Sequence, residues 1–193
     1  MKPVALIDLD GTVADYHAQI TADLQLMLPP EFRHFTELDA ETRPWLKNVC
    51  RMIKSQPGWW ANLHPIQEGL DLVADIRNLG FRICVLTRGP SYNPAAWGEK
   101  RAWCQQYMPG AKVTITEDKS LSYGRVLVDD WPEYVEAWLA RRPRGTVIMP
   151  DRPWNQGFQH DQVVRYDHMD AISRFRVHNA LVLQLNRKDG EAP

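Results

Sequence analysis

Short apolar runs alternate with segments of helical periodicity along most of this chain. Five short apolar runs are interpreted as strands buried on both faces of a sheet rather than as alternating strands. These predicted strands span residues 4–9, 82–87, 112–116, 125–129 and 145–149. Strands that alternate with helices are typical of an α/β fold. The pattern therefore predicts a parallel sheet flanked by helices.

The helical segments between these strands have recognisable ends. Apolar residues recur at helical spacing from Leu70 to Leu79, and Gly80 is suited to end that helix. Pro132 is suited to the first turn of another helix, because that turn needs no backbone donor. Two more helices are predicted at residues 97–107 and 172–185, and residues 188–193 are expected to fray.

The segment from residue 15 to residue 65 departs from this rhythm of strands and helices. It has helical patterns around residues 20–28 and 45–53, which prolines interrupt, and no convincing strand pattern. We therefore predict a small helical cap inserted after the first strand. The cap comprises residues 15–65, and the core domain comprises residues 1–14 and 66–193.

Length and charge narrow the class of protein. The chain has 193 residues, which suits one domain or a core domain with a small insertion. Lys plus Arg number 23 and Asp plus Glu number 24, so the net charge is -1. This balance argues against stable nucleic-acid binding, which usually needs a basic excess. It still allows a local cationic site for an anion the size of a nucleotide.

The beginning of the chain and its cysteines indicate a cellular compartment. The first apolar run reaches Asp8 too soon to form a secretory signal or a membrane span. The three cysteines are odd in number and lack closely paired spacing, so we expect reduced thiols. We therefore predict a cytoplasmic protein without a membrane partner, and the sequence leaves a homodimer open.

The candidate chemistry begins where the first predicted strand ends. Asp8 and Asp10 are two positions apart, so an extended backbone presents both carboxylates on the same side. Carboxylates this close repel one another and need a cation, for which Mg²⁺ is the natural candidate. Gly11 permits a tight turn, and Thr12 can begin the following helix. The simpler alternative is an ordinary turn between a strand and a helix, where Asp, Gly and Thr are common.

Polar residues also follow two other predicted strands. Ligands of open parallel sheets bind at the carboxyl ends of the strands. Thr87 and Arg88 follow one strand, Asp129 and Asp130 end another, and Lys119 lies in the loop before the latter strand. Each could be explained alone as a surface turn, a solvated lysine or a helix cap. Together the carboxylates, the hydroxyl and the lysine are the groups that phosphoryl transfer requires.

These positions resemble, in order, the four motifs of the haloacid dehalogenase superfamily, whose members have a Rossmann-like sheet with a cap. The matching residues are Asp8-Leu9-Asp10-Gly11-Thr12, Thr87, Lys119 and Asp129-Asp130. The chain resembles the 5'(3')-deoxyribonucleotidase group more closely still, in its aromatic-x-x-Leu-x-Pro segment at residues 59–65 and its Glu-Lys-x-x-Trp helix at residues 99–103. Residues 151–156 resemble a Pro-Trp-Asn turn of related bacterial and phage proteins. The resemblance extends from residue 2 to about residue 155.

The resemblance implies a Mg²⁺-dependent phosphomonoesterase that converts (deoxy)nucleoside monophosphates to nucleoside and phosphate through an aspartyl-phosphate intermediate. Asp8 would be the nucleophile, and Asp10 would protonate the leaving oxygen and later activate water. Thr87 and Lys119 would bind the phosphate group. The metal ligands would be the Asp8 carboxylate, the Asp10 backbone carbonyl and one residue of the later pair, with Asp130 favoured over Asp129.

The substrate-binding residues are expected beside the cap. Arg88-Gly89 stands where vertebrate members of the group usually carry Ser-Pro, so an extra cation would face the substrate. Trp59 and Trp60 adjoin the return from the cap, and the resemblance implies that at least one of them stacks on the nucleobase, with Trp60 favoured. The alternative is that the two rings only close a small core.

Three other functions are compatible with the sequence. The first is a phosphatase of the same superfamily that acts on sugar phosphates or on polynucleotide phosphate ends, although the near-neutral charge speaks against a polynucleotide. The second is a non-catalytic binding module, but every catalytic position is filled. The third is a structural partner that uses its eight tryptophans as an interface, but these are scattered along the chain. The expected partner is therefore a small-molecule nucleotide.

Overall fold

The computed structural model describes residues 2–188, and a six-stranded sheet forms its centre. All strands are parallel and their order across the sheet is β3-β2-β1-β4-β5-β6. The strands are β1 (Val4–Ile7), β2 (Arg82–Arg88), β3 (Lys112–Thr116), β4 (Val126–Val128), β5 (Thr146–Pro150) and β6 (Val163–Tyr166). This topology confirms the predicted α/β class and its Rossmann-like parallel sheet.

The sequence pattern did not predict β6, and it predicted longer bounds for β1. β6 pairs only with β5 at the edge of the sheet, so one of its sides carries no strand, and its run is interrupted by Arg165. β1 ends at Ile7 because the chain then turns, and the Leu9 carbonyl accepts hydrogen bonds from the backbone N–H groups of Val13 and Ala14. The predicted strand had continued to Leu9. Apolar character therefore extended past the last residue that pairs in the sheet.

Within residues 2–188, six α-helices connect or cover these strands. They are α1 (Tyr16–Met27), α2 (Pro44–Lys54), α3 (Gln67–Leu79), α4 (Ala95–Tyr107), α5 (Pro132–Ala140) and α6 (Ala171–Asn186). α3 ends as predicted at Gly80, whose φ of 112° is in the left-handed region that favours glycine. Pro132 occupies the first turn of α5. Among residues 2–188, no helix combines the length and the apolar character that a bilayer crossing requires. Most of the segment predicted to fray, residues 189–193, lies outside the described residues.

The predicted cap segment consists of α1, α2 and short 3-10 turns. Its two ends meet at a narrow neck, where the Asp15 backbone N–H donates to the His64 carbonyl at 2.7 Å and the Ile66 N–H donates to the Val13 carbonyl at 2.8 Å. The buried apolar side chains of α1 and α2 belong to the same cluster as Ala5 and Ile7 of β1, so one continuous core joins this segment to the sheet. The division into a core domain and a cap stays a prediction.

Candidate active site

The candidate site lies where β1, β2 and β4 end. These three strands are neighbours in the sheet, with Ile7 in register with Val85 of β2 and with Val128 of β4. Asp8 directly follows β1, and its backbone N–H donates to the Val128 carbonyl at 2.8 Å. Asp129 directly follows β4. The parallel arrangement therefore brings acidic residues that are far apart in sequence to the same edge of the sheet.

Lys119 lies between two of these carboxylates. Its Nζ donates to Asp8 Oδ1 at 2.5 Å and to Asp129 Oδ2 at 2.9 Å, and all three side chains are buried. Burial by itself lowers the pKa of Lys119, but the two adjacent carboxylates outweigh this effect and raise it above its ordinary value. Lys119 therefore carries its positive charge at neutral pH and offsets part of the negative charge of the site.

Asp130 is held by two neutral donors. Thr12 Oγ1 donates to Asp130 Oδ1 at 3.0 Å, and Trp154 Nε1 donates to Asp130 Oδ2 at 2.9 Å. Gly11 has a φ of 79°, and a Cβ at this position would lie 2.5 Å from Asp130 Oδ2. Only glycine fits both this backbone conformation and this close approach. The turn after β1 and the end of β4 therefore pack directly against each other.

Burial and mutual repulsion disfavour the ionised form of two carboxyl groups of the site, Asp8 and Asp130. Burial raises the pKa of Asp8 well above its usual range, and the nearby Asp129 adds to this effect. Burial, together with repulsion from Asp129, raises the pKa of Asp130 to about 7. Carboxylate oxygens of Asp8, Asp129 and Asp130 lie within 4.8 Å of one another. This buried cluster is suited to hold a metal ion.

The chemistry of the donor set fits a divalent cation with oxygen ligands. The carboxylates of Asp8, Asp10, Asp129 and Asp130 face the ammonium groups of Lys100 and Lys119, which leaves two negative charges to be neutralised. In the described part of the chain, Asp10 Oδ1 is buried without a hydrogen-bond partner. Asp130 lines the adjacent cavity, whereas Asp129 does not and accepts hydrogen bonds from Lys119 and the Trp131 N–H. Of the two residues, Asp130 is therefore the one open to the cavity.

The site also contains Lys100 of α4, to which the sequence analysis gave no role although it lies in the Glu-Lys-x-x-Trp segment. It is 1% exposed, and its Nζ donates to Asp10 Oδ2 and, at 3.0 Å, to Thr87 Oγ1. The ammonium group also lies 4.3 Å from the centre of the Trp60 ring. A usable signal was present, because Lys100 falls at helical spacing on the buried face of α4 that includes Trp103. A lysine on such a face needs a charged partner.

A cavity of about 540 Å³ is lined on one side by these catalytic candidates and on the other by residues of the predicted cap. Six of the predicted site residues line this cavity: Asp8, Asp10, Trp60, Arg88, Lys119 and Asp130. Thr87 is fully buried beneath the cavity and reaches the site through its contact with Lys100. Arg88 is exposed, and its guanidinium group donates to the Tyr134 hydroxyl at 2.9 Å.

The two tryptophans of the cap return have different surroundings. The Trp60 ring stacks on the Tyr16 ring, with centroids 5.5 Å apart and an interplanar angle of 20°. The Trp59 ring does not line the cavity, and its Nε1 donates to Asp23 Oδ2 at 2.7 Å. Stacking of a nucleobase on either ring stays a prediction. Of the two, Trp60 is the one that borders the space where a substrate would bind.

The fold and the site together define a class of protein. A parallel sheet with acidic residues after its first and fourth strands, and with a helical segment above them, is the arrangement of haloacid dehalogenase-like hydrolases. A solved HAD family hydrolase from Deinococcus radiodurans, which contains bound phosphate and sodium, has the same fold. It is 14% identical, the match covers 97% of this chain and 99% of that chain, and the TM-score is 0.54.

Sequence comparison then gives the family. The model of the family described as 5' nucleotidase, deoxy (pyrimidine), cytosolic type C protein matches residues 2–176, and the chain belongs to this family. A Bordetella pertussis relative, provisionally named a 5'(3')-deoxyribonucleotidase, is 29% identical over 163 residues, which cover 78% of this chain and 84% of the relative. The human 5'(3')-deoxyribonucleotidase, cytosolic type, is 27% identical over 139 residues, which cover 65% of this chain and 69% of the relative. The chain is a phosphatase of the nucleotidase type.

Proposed function

We propose that this protein is a Mg²⁺-dependent phosphomonoesterase that hydrolyses (deoxy)nucleoside monophosphates through an aspartyl-phosphate on Asp8. The observation that carries the proposal is the position of Asp8 in the wall of the cavity, 2.5 Å from the Lys119 ammonium group and beside the Asp129 and Asp130 carboxylates. The cavity has a volume typical of small-molecule sites. The names of the human and Bordetella relatives support nucleotides as the substrate class.

In the first half of the reaction, an Asp8 carboxylate oxygen attacks the phosphorus atom as the bond from phosphorus to the nucleoside oxygen breaks. Asp10 gives its proton to the departing oxygen. Lys119, in the cavity wall, binds the phosphoryl oxygens, and Thr87 supports this site through its contact with Lys100 rather than by lining the cavity. A bound Mg²⁺, held by Asp8, Asp130 and the Asp10 carbonyl, would supply positive charge against the charge that accumulates on the phosphoryl group.

In the second half, water hydrolyses the aspartyl-phosphate and releases phosphate. Asp10 accepts a proton from the attacking water, so one carboxyl group serves both halves. The surroundings of Asp10 suit this task, because Asp10 lines the cavity and the Lys100 ammonium group donates to its Oδ2. We therefore assign the exchanged proton to the Asp10 carboxyl group, which Lys100 orients.

Lys100→Met tests this orientation. The variant removes the donor shared by Asp10 and Thr87, and we expect kcat/KM for a nucleoside monophosphate to fall about 10²-fold, the usual effect of losing one preorganised donor. Lys112→Met removes an exposed lysine of β3 and is the matched control. Steady-state phosphate release measures both. A Lys100→Met protein with the catalytic efficiency of the control would rule out this role.

The cavity rim carries the groups that we propose for substrate binding. Arg88, held by the Tyr134 hydroxyl, places a cation at the rim, and Trp60 contributes an aromatic wall. Trp59 is anchored by Asp23, so in our proposal it supports Trp60, whose ring centroid is 4.7 Å away. The name of the human relative as a cytosolic type supports action in the cytoplasm. A homodimer stays a prediction.

A phosphate-release screen tests the function. The panel contains all ribo- and deoxyribonucleoside monophosphates, common sugar phosphates and a 5'-phosphorylated oligonucleotide, each with Mg²⁺ and with EDTA. We expect turnover of nucleoside monophosphates that EDTA suppresses and added Mg²⁺ restores. Release only from sugar phosphates or oligonucleotides would give the chain another substrate within the same superfamily. Full activity in EDTA would contradict the metal requirement.

A further inference from the structure

The turn that follows β5 contacts both acidic segments of the candidate site. The 3-10 turn Pro153–Asn155 and the preceding Arg152 lie beside the ends of β1 and β4. Arg152 Nε donates to the Gly11 carbonyl at 2.9 Å. On the other side, Trp154 Nε1 donates to Asp130 Oδ2 at 2.9 Å, and Asn155 Nδ2 donates to the Asp130 backbone carbonyl at 2.8 Å. We call residues 152–155 the clamp turn.

The clamp turn is itself firmly attached. Asn155 is buried, and its Nδ2 also donates to the Pro150 carbonyl at 3.0 Å. The Arg165 guanidinium group donates to Asn155 at both its backbone carbonyl and its Oδ1, each at 2.8 Å. Arg152 pairs with Glu68 of α3 at 2.7 Å. These contacts connect the turn to β5, β6 and α3, so it provides a fixed support for the two acidic segments.

The contacts to Asp130 fix its orientation without removing its charge. Each carboxylate oxygen accepts one hydrogen bond from a neutral donor, Thr12 on Oδ1 and Trp154 on Oδ2. A neutral donor restricts rotation of the carboxylate, whereas a lysine or arginine in the same place would compete with a cation for its charge. Groups that hydrogen-bond a metal-binding carboxylate in this way commonly set metal affinity.

We propose that Trp154 is a positioning residue that orients Asp130 for a divalent cation, and that the clamp turn holds Asp130 at the required distance from the turn after β1. This inference rests on the metal-dependent function proposed above. It assigns a role to the Trp-Asn turn, which the proposed reaction leaves unused. The Trp154 ring also contacts the ring of His17 in α1, with centroids 3.9 Å apart, so the test must retain an aromatic ring at this position.

Trp154→Phe removes the N–H donor and keeps an aromatic ring. Trp138→Phe is the matched control, because Trp138 also donates a hydrogen bond from Nε1, here to the Ser122 carbonyl at 3.1 Å. Trp138 is buried in the separate apolar cluster that contains Val135 and Leu139, whereas Trp154 is half-buried. Metal binding is measured directly by electron paramagnetic resonance of Mn²⁺, which prefers oxygen ligands as Mg²⁺ does, with Mg²⁺ as competitor. Circular dichroism and thermal melting establish folding of each protein before titration.

We expect Trp154→Phe to bind Mn²⁺ about tenfold more weakly than the parent protein, at the lower end of the range for such contacts because Thr12 still holds the other oxygen. Trp138→Phe should stay within about twofold of the parent. The Mg²⁺ concentration for half-maximal turnover should rise by the same factor as the Mn²⁺ dissociation constant, and saturating Mg²⁺ should restore kcat. Trp154→His, which returns a ring N–H, should recover most of the affinity.

Two results would overturn the inference. Parent-like Mn²⁺ affinity in a folded Trp154→Phe protein, with or without a lower melting temperature, would give Trp154 a merely structural role. Equal losses in Trp154→Phe and Trp138→Phe would show a general effect of removing an indole. If the folded parent itself binds neither Mn²⁺ nor Mg²⁺, the metal-dependent function fails and this inference fails with it, so the two failures are distinguishable.

Discussion

An Asp8→Asn protein is expected to release phosphate from nucleoside monophosphates at least about 10⁴-fold more slowly than the parent. The amide cannot form the aspartyl-phosphate, and removal of a covalent nucleophile produces losses of this order or larger. Lys119, and a Mg²⁺ held by the remaining ligands Asp130 and the Asp10 carbonyl, would still bind the phosphate group, so KM should change much less than kcat. Steady-state phosphate release, with the best substrate of the nucleotide panel, measures the loss.

The same substitution should leave the fold intact. Burial raises the pKa of Asp8 well above its usual range, which means that the folded, metal-free protein disfavours the ionised carboxylate at neutral pH. A neutral asparagine removes that penalty, and Lys119 keeps its contact with Asp129 at 2.9 Å. We therefore expect a melting temperature at pH 7 equal to or above that of the parent. Asp161→Asn, at an exposed position, is the matched control. Phosphate release at the parent rate by Asp8→Asn would show that the nucleophile is another group.

An Asp10→Asn protein is expected to lose about 10³-fold in turnover of nucleoside monophosphates, since it lacks the group that protonates the leaving oxygen. The loss should depend on the leaving group. With p-nitrophenyl phosphate, whose leaving group needs no proton, Asp8 should still be phosphorylated. Hydrolysis of the aspartyl-phosphate would remain slow because no base activates water.

Stopped-flow absorbance separates these two steps. We expect a burst of about one equivalent of p-nitrophenol per Asp10→Asn molecule, followed by slow turnover, which is the kinetic sign of an accumulating covalent intermediate. The double variant Asp8→Asn/Asp10→Asn should show no burst, and Asp161→Asn should behave as the parent. Equal losses on both substrates without a burst would contradict the role of Asp10 as acid and base.

Most of the sheet was predictable because a parallel strand that is buried on both faces consists largely of apolar residues. The five predicted strands are all present. β1, β2, β4 and β5 are runs of mostly buried aliphatic residues, as predicted. β3 lies at the edge of the sheet and none of its residues is fully buried, so the expectation of burial on both faces is wrong for this strand. β6 was not predicted because it has only four residues and one of them is Arg165, which is satisfied by Asp151 and Asn155. A polar residue in such a strand costs little once these partners are in place.

Much of the candidate site was also predictable, but its pairings were not. The acidic pairs and Lys119 could be placed together because the ends of neighbouring parallel strands meet at one edge of the sheet. The partner of Asp10 could not be named, because Lys100 reaches it from the buried face of α4, and no local pattern specifies how that helix packs on the sheet. The contact of Trp154 with Asp130 likewise depends on how the loop after β5 folds back.

The sequence by itself therefore determined the α/β class, the strands that carry the chemistry, and the residue types that meet at the site. These follow from the period of the apolar residues and from short spacings, because local backbone geometry fixes the side of a strand or helix to which each side chain points. Only the tertiary structure decided that Asp130 lines the cavity while Asp129 does not, that Lys100 pairs with Asp10, and that Trp60 borders the cavity while Trp59 binds Asp23. The reason is that such contacts depend on distances of a few ångströms between elements far apart in the chain, and the packing of the whole core sets those distances.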